Sequence, residues 1–158
     1  MGTESSGAVL ERSGGETPIE RLLAAIGYPE RISHGSVSFT LRVDGVEVFA
    51  EEAGGRLVLS HALADDAALL HALAVYAAGR MLMEDATLAY GSLPASGASG
   101  LRAFLWQDAP ADADSHAMLR LFESFMDSCD WWRARVAALR EEGEAAEEPA
   151  TETMMIRP

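Results

Sequence analysis

The sequence predicts an α+β fold in the order α-β-β-β-α-β-β-α, with a twisted antiparallel sheet packed against helices. Residues 37–50 alternate apolar and polar side chains on both sides of Asp44-Gly45, which is typical of a β-hairpin. Residues 56–60, 86–91 and 101–107 predict three further strands. Apolar residues at helical spacing predict helices near 17–26, 67–83 and 113–140.

The hairpin also predicts which side chains share a face. A two-residue turn at Asp44-Gly45 fixes the register, because side chains of paired residues lie on the same side of a sheet. Arg42 and Glu47 are then opposite each other on the polar face. The apolar face receives three pairs: Val43 with Val46, Leu41 with Val48, and Phe39 with Ala50. Leu57 and Leu59 of the next strand extend this face.

The first helix has clear end signals. Thr17 is placed to cap it, Pro18 suits its first position and Glu20 completes a capping box. Gly27 is placed to end it. The apolar stripe that must dock on the sheet consists of Ile19, Leu22, Leu23 and Ile26.

The second helix, capped at Asp65-Asp66, is rich in alanine and leucine and has apolar residues on more than one side. This favours contact with both its own sheet and a second subunit, and a wholly internal helix is the alternative. A glycine-rich loop at 92–100 precedes strand 101–107, which has Phe104 and Trp106 on one face and Leu105 on the other. Such a strand is buried on two sides, either by the core and a dimer seam or by the core and a ligand groove.

The last helix follows an acidic, proline-containing loop at 108–115. Its seam of apolar residues repeats at spacings of four and three and comprises Met118, Phe122, Phe125, Cys129, Trp132, Val136 and Leu139. We expect one domain over 17–140, a disordered segment at 1–16 and a disordered acidic tail at 141–158. The apolar end of that tail is either incidental or a short docking motif.

Composition limits the possible functions. The formal net charge is −13, and all 12 basic residues are dispersed arginines, which argues against nucleic acid as a partner. No apolar segment is long enough for a membrane span, and no signal peptide is recognisable. With a single cysteine, Cys129, the chain suits a reducing cytoplasm. We therefore expect a soluble cytoplasmic protein.

No pattern indicates catalysis. The four histidines lie in separate elements without metal-site spacing, and Cys129 sits on an apolar helix seam. The glycine-rich segments lack the spacing of phosphate-binding loops. We predict no enzymatic activity, no metal and no cofactor.

The order and character of these elements resemble the class I chaperones of type III secretion systems, the CesT- and SycE-like family. The resemblance covers residues 17–139: a capped first helix, a meander at 36–60, an Ala/Leu-rich helix, a strand at 87–90, a glycine loop, a strand at 101–107, and a closing helix. That helix carries the aromatic residues Phe122, Phe125, Trp131 and Trp132. The acidic tail after Arg140 is longer than expected for the smallest members of that family, which leaves open the general, multi-cargo subgroup of Hrp systems.

This resemblance implies a homodimer that binds the N-terminal segment of effector proteins in extended form and keeps them soluble and secretion-competent for virulence. The secretion ATPase is a further partner that it allows. The implied dimer interface includes Leu69, Leu70, Leu73, Tyr76, Ala77, Arg80, Leu88 and Tyr90. Candidate effector-binding residues, for which a plain core role is the alternative, are Ile19, Leu22, Leu23, Phe39, Leu41, Val48, Phe49, Phe104 and Trp106.

The alternative function is a small-molecule-binding or enzymatic α+β domain with a pocket between the sheet and the last helix.

Overall fold

A computed structural model describes residues 15–30, 32–80, 85–91 and 101–147. The helices are α1 (Pro18–Ile26), α2 (Ala67–Arg80) and α3 (Ser115–Glu147). The strands are β1 (Ser38–Val43), β2 (Val46–Ala53), β3 (Arg56–Ala64), β4 (Thr87–Gly91) and β5 (Arg102–Pro110). They form one antiparallel sheet in the order β1-β2-β3-β5-β4, which confirms the predicted α+β fold. The predictions for residues 1–14, the end of the second helix at 81–83, the loop at 92–100 and the tail beyond 147 lie outside the described residues.

The predicted hairpin register is confirmed. Asp44 and Gly45 both have positive φ, 50° and 76°, as a type I′ turn requires. Val43 therefore pairs with Val46, and every further pair of β1 and β2 follows from that one. On the polar side, Arg42 Nη2 lies 2.9 Å from Glu47 Oε2.

Four elements are longer than the sequence predicted, and the first is β2, which continues past Ala50 to Ala53. β3 continues past Ser60 to Ala64, and β5 continues past Gln107 to Pro110. Residues 108–110 resemble a loop by residue type, but β3 offers them paired positions at Arg56, Leu57 and Val58. α3 likewise continues past Arg140 to Glu147, because glutamate and alanine are good helix formers. Part of the predicted acidic tail is thus helical.

α1 is fixed at both ends as predicted. Thr17 Oγ1 accepts from the Glu20 N–H at 3.2 Å, and Glu20 Oε2 accepts from the Thr17 N–H at 2.6 Å. That second bond is the main reason the pKa of Glu20 is lowered. At the other end Gly27 has φ 66°, and the Tyr28 N–H donates to the Leu23 carbonyl at 2.9 Å, closing a Schellman motif.

The helices pack on one face of the sheet, which we call the inner face. The α3 seam lies against it, with Phe125, Cys129 and Trp132 fully or almost fully buried. α1 packs beside α3 through Ile19 and Leu22. The sheet contributes Leu41, Val46, Val48, Ala50, Leu57, Leu59 and Leu105 to this core.

α2 is attached to α3 by two reciprocal cation–π contacts. The Arg80 guanidinium carbon lies 3.6 Å from the centroid of the Trp131 ring, and that of Arg135 lies 3.9 Å from the Tyr76 ring. Each helix supplies one cation and one aromatic ring, and such contacts contribute more when they are shielded from water.

Replacing Trp132 should cost much of the fold's stability. We expect Trp132→Ala to lower the free energy of unfolding by about 3–5 kcal/mol, because it leaves a large cavity under α3. Leu101→Ala, at an exposed residue, should change it by less than about 0.5 kcal/mol. Chemical denaturation monitored by circular dichroism measures both values. Equal losses in the two variants would contradict the predicted core.

His61 should make stability depend on pH. Its Nδ1 lies 2.7 Å from the Glu47 carbonyl oxygen, and burial, with a smaller effect of Arg133, lowers its pKa below the ordinary 6.5. Between that lowered pKa and 6.5 the unfolded chain binds more protons at this position than the folded chain does. This contribution to stability is therefore present above pH 6.5 and is lost as the pH falls through that window.

His61→Gln keeps an N–H donor for the carbonyl and removes the titration, so it should flatten the slope of unfolding free energy against pH near 6.5. His116→Gln, at an exposed histidine, serves as the control and should retain the slope. The lowered pKa of Glu20 affects stability in a separate pH window, because that contribution is lost only as the pH falls below the ordinary pKa of 4.5. A slope unaffected by His61→Gln would contradict the prediction.

Candidate peptide-binding face of the sheet

The second face of the sheet, which we call the outer face, is not covered by any described helix. Strand pairing turns alternate residues of every strand toward it. Several of these residues are apolar and partly exposed. The outer patch, as we use the term, comprises Phe49, Val58, Ala62, Ala89, Phe104 and Trp106.

The patch has a low centre between two large aromatic side chains. Phe49 pairs with Ser60, and Ser60 pairs with Trp106. The serine is only 6% exposed although no described helix lies over it, because the larger side chains on both sides shield it. This arrangement forms a shallow apolar surface on which a flexible chain could lie.

Toward the β4 edge, the side chains next to the aromatic residues of the outer patch are small. Phe104 pairs with Ala62 on one side and Ala89 on the other, and Trp106 pairs with Thr87. The aromatic rings of β5 therefore have small neighbours between them and the edge of the sheet. A ligand approaching from that edge meets no large side chain on β4 before it reaches β5.

Charged groups border the outer patch, and two of them, Glu51 and Asp108, pair with its member Val58 on either side. Arg42 and Glu47 form an exposed ion pair at one end, and Arg56 pairs with Asp108 at the other. Exposed pairs of this kind add little stability. They mark where the apolar surface ends, which is the usual arrangement of an interface with a polar rim.

The two sheet edges differ. The Glu52 N–H donates to the Val37 carbonyl, so the odd-numbered residues of β1 bond to β2 and the backbone of Thr40 and Arg42 points outward. The outward Arg42 N–H is bound by the Tyr28 hydroxyl at 3.2 Å. The Tyr28 ring also packs edge-on against Phe39, with 6.0 Å between centroids. Neither β1 nor β4 has a second neighbouring strand among the described residues, so the tyrosine contact is the described difference between the two edges.

The candidate effector-binding residues divide into two groups. Phe49, Phe104 and Trp106 belong to the outer patch, and Phe39 lies beside Tyr28 at the β1 edge. The remaining candidates are enclosed in the chain's own core and are not accessible to a ligand in this conformation: Ile19, Leu22, Leu23, Leu41 and Val48. Val58, Ala62 and Ala89 also belong to the outer patch but were not predicted, although the strand alternation that identifies Phe104 also identifies them.

Most of the candidate dimer residues face inward. Leu69 and Leu73 are buried in the core, and Leu70, Tyr76, Ala77 and Leu88 pack against it. Arg80 stacks on Trp131. Tyr90 is 40% exposed and donates its hydroxyl proton to the Leu70 carbonyl at 3.1 Å. The face of α2 that remains open consists of Ala68, His71, Ala74, Val75, Ala78 and Gly79.

The described residues contain no cluster of histidine, cysteine and carboxylate groups suited to a metal ion. Burial raises the pKa of the Cys129 thiol to about 12, so the thiol is protonated at neutral pH and is a poor nucleophile. No helix in the described part of the chain is long and apolar enough to cross a membrane. The notable feature of this surface is therefore its shape and apolarity.

Together these features define a small α+β protein with helices on one sheet face and an open aromatic surface on the other. The structure is similar to that of YbjN from E. coli, a protein proposed to regulate transcription, with a TM-score of 0.50. The match covers 80% of this chain and 90% of YbjN at 10% sequence identity, so it shows a shared fold. No protein-family model and no curated protein matches the sequence.

Proposed function

We propose that this protein is a non-enzymatic, homodimeric chaperone that holds a segment of another protein in extended form. The observation that carries the proposal is the open outer patch, in particular Phe49, Phe104 and Trp106 on a rigid sheet. Contiguous apolar surface of this kind on a soluble protein commonly marks a site of protein interaction. A rigid sheet also lowers the entropy lost on binding, because only the ligand must become ordered.

An extended segment suits this surface better than a folded partner does. Its alternate side chains can contact Trp106 and Phe49 on either side of Ser60. Its backbone can bond to a sheet edge while its side chains reach apolar surface, a mode that tolerates varied sequences. The low outer surface of β4 gives such a segment a path from the edge to the aromatic residues of β5.

The resemblance to class I type III secretion chaperones supports a more specific proposal. The bound segment is then the N-terminal part of an effector, held in the bacterial cytoplasm before secretion, and the secretion ATPase is a further partner. The resemblance rests on the α-β-β-β-α-β-β-α order, and the structure has that order. The acidic charge of −13 would keep the chaperone soluble while it presents apolar surface.

The regulatory role proposed for YbjN is not part of this proposal. DNA binding requires arginine or lysine gathered along a surface that follows the phosphates. Here 25 acidic residues outnumber 12 arginines, and two arginines at the rim of the outer patch, Arg42 and Arg56, are already paired with carboxylates.

Loss of an outer-patch aromatic should weaken binding without unfolding the protein. The chain would be coexpressed with the N-terminal fragment of a secreted protein encoded beside it, and should copurify as a stoichiometric complex. We expect Trp106→Ala to weaken that complex by about 2 kcal/mol, roughly thirtyfold, because aromatic residues in a packed contact dominate binding energy. Titration calorimetry measures the change.

Leu101→Glu is a suitable control, since Leu101 is an exposed apolar residue outside the outer patch. Hydrogen exchange should show slower exchange in β4 and β5 when the fragment is bound. Equal affinity of Trp106→Ala and wild type, or protection confined to α1, would contradict the proposed surface.

The open face of α2 supports the homodimer part of the proposal. α2 contains no Asp, Glu, Lys or Arg before Arg80, and Val75 on its outward side is 64% exposed. Exposed helices usually carry charge on their outward side, so an uncharged surface of small residues suits close contact with a second helix. The partner in this proposal is a second copy of the same chain.

Val75→Glu should convert a dimer into a monomer. The glutamate is tolerated in a single chain because the position is exposed, but in a dimer it would be buried without a partner. We expect an apparent mass near the 16.9 kDa of one chain, measured by size exclusion with light scattering. Leu73→Arg would not test this, because Leu73 is fully buried within one chain. A dimer unaffected by Val75→Glu would exclude the α2 contact.

A further inference from the structure

A groove of about 500 Å³ lies between the first half of α3 and the β4–β5 end of the sheet, in the layer of the inner face. Its lining includes the buried Gln107 and the carboxylates of Asp85 and Asp127. It is separate from the outer patch, because Gln107 and Trp106 point to opposite faces of β5. The pocket that the sequence allowed between the sheet and the last helix has this location.

Three polar side chains lie in a row in the groove. The Ser124 Oγ lies 3.5 Å from Asp85 Oδ2 and 3.5 Å from Gln107 Nε2. A carboxylate can only accept, so the Ser124 proton is directed toward Asp85 and the serine oxygen offers lone pairs to Gln107. The amide nitrogen of Gln107 therefore faces Ser124, and its oxygen faces away.

That oxygen is the unusual feature of the groove. Gln107 is only 8% exposed, and its Oε1 is buried without a hydrogen-bond partner among the described residues. Most buried side-chain oxygens are paired, so an unpaired one indicates a group that arrives from outside. An amide oxygen accepts, so the arriving group must be a donor.

The charges around the groove indicate the sign of that donor. Asp85, Glu123 and Asp127 contribute three carboxylates, and Arg120 contributes one guanidinium, which leaves the groove with a net negative charge. Leu121, itself buried, and Ala117 form an apolar wall beside them. Such a groove favours a cation on an aliphatic stem over a bare ion.

We propose that this groove binds an ammonium or guanidinium group on an aliphatic stem, with an N–H donated to Gln107 Oε1. The carboxylates of Asp85 and Asp127 balance its charge, and the stem lies along Leu121. The group can belong to a free amine or to a basic side chain of a bound peptide. The groove does not include residues of the outer patch. Cation binding can therefore be disproved while the proposed chaperone function remains supported, and the reverse also holds.

Titration calorimetry of the full chain with butylguanidine tests the proposal, and butylurea serves as the neutral ligand of the same shape. Salt near 0.15 M screens nonspecific attraction to the acidic surface, since the screening length is then about 8 Å. Butylguanidine should bind at one site, and butylurea should not. A short peptide with a central arginine, compared with its citrulline counterpart, shows whether a side chain or only a free amine is accepted.

Variants locate the site. Gln107→Leu removes the acceptor and should weaken butylguanidine binding roughly tenfold or more, as expected for a lost hydrogen bond to a charged group. Asp127→Asn, at an exposed position that folding does not require, should weaken it about threefold. Glu141→Gln removes the same charge from an exposed position farther along α3 and should have no effect.

Equal binding of butylurea would overturn the proposal, and so would equal loss in Asp127→Asn and Glu141→Gln. If Gln107→Leu fails to fold, Asp127→Asn and the neutral ligand still decide the outcome. Loss of effector binding in Trp106→Ala with unchanged butylguanidine binding would show that the two sites are independent.

Discussion

Strand register is the constraint on which the rest of this structure depends. The Asp44-Gly45 turn and the Gly54-Gly55 turn hold β1, β2 and β3 in fixed register, and β3 then positions β5. Because side chains alternate between faces, a shift of one residue would move the core set to solvent and the outer patch beneath the helices. The same turns thus determine both which side chains form the core and which are exposed on the outer face.

The asymmetry of the two faces follows from the helices. α3 is long enough to cross the inner face, and its aromatic seam fills the space over β3 and β5. α1 packs beside it and α2 is attached to it by the paired cation–π contacts, so the described helices all lie on one side. The inner face of the sheet is therefore covered by helices and the outer face is exposed, although both faces carry aromatic or branched side chains.

The elements with strong local signals could be predicted from the sequence. The capped α1, the hairpin register and the α3 seam depend on caps, turn residues and spacing that act within a few residues. Prediction from the sequence failed where pairing between distant segments determines the secondary structure. Residues 108–110 are an example, because they are a strand only through their pairing with β3. The site shows the same division. Phe104 and Trp106 could be selected from alternation alone, whereas the enclosure of Leu41 and Leu73 depends on where helices distant in the chain come to lie. The groove at Gln107 joins three segments, and no local pattern predicts it.

The Tyr28 hydroxyl bond to Arg42 has a consequence for how copies of this chain can associate. A sheet with two equally free edges can stack head to tail, each copy adding to the next, and such growth does not close. With the Arg42 N–H occupied by the chain's own tyrosine, that end of β1 offers an incoming strand one backbone donor fewer. One phenolic oxygen thereby makes the end of β1 a poorer template for edge-to-edge growth.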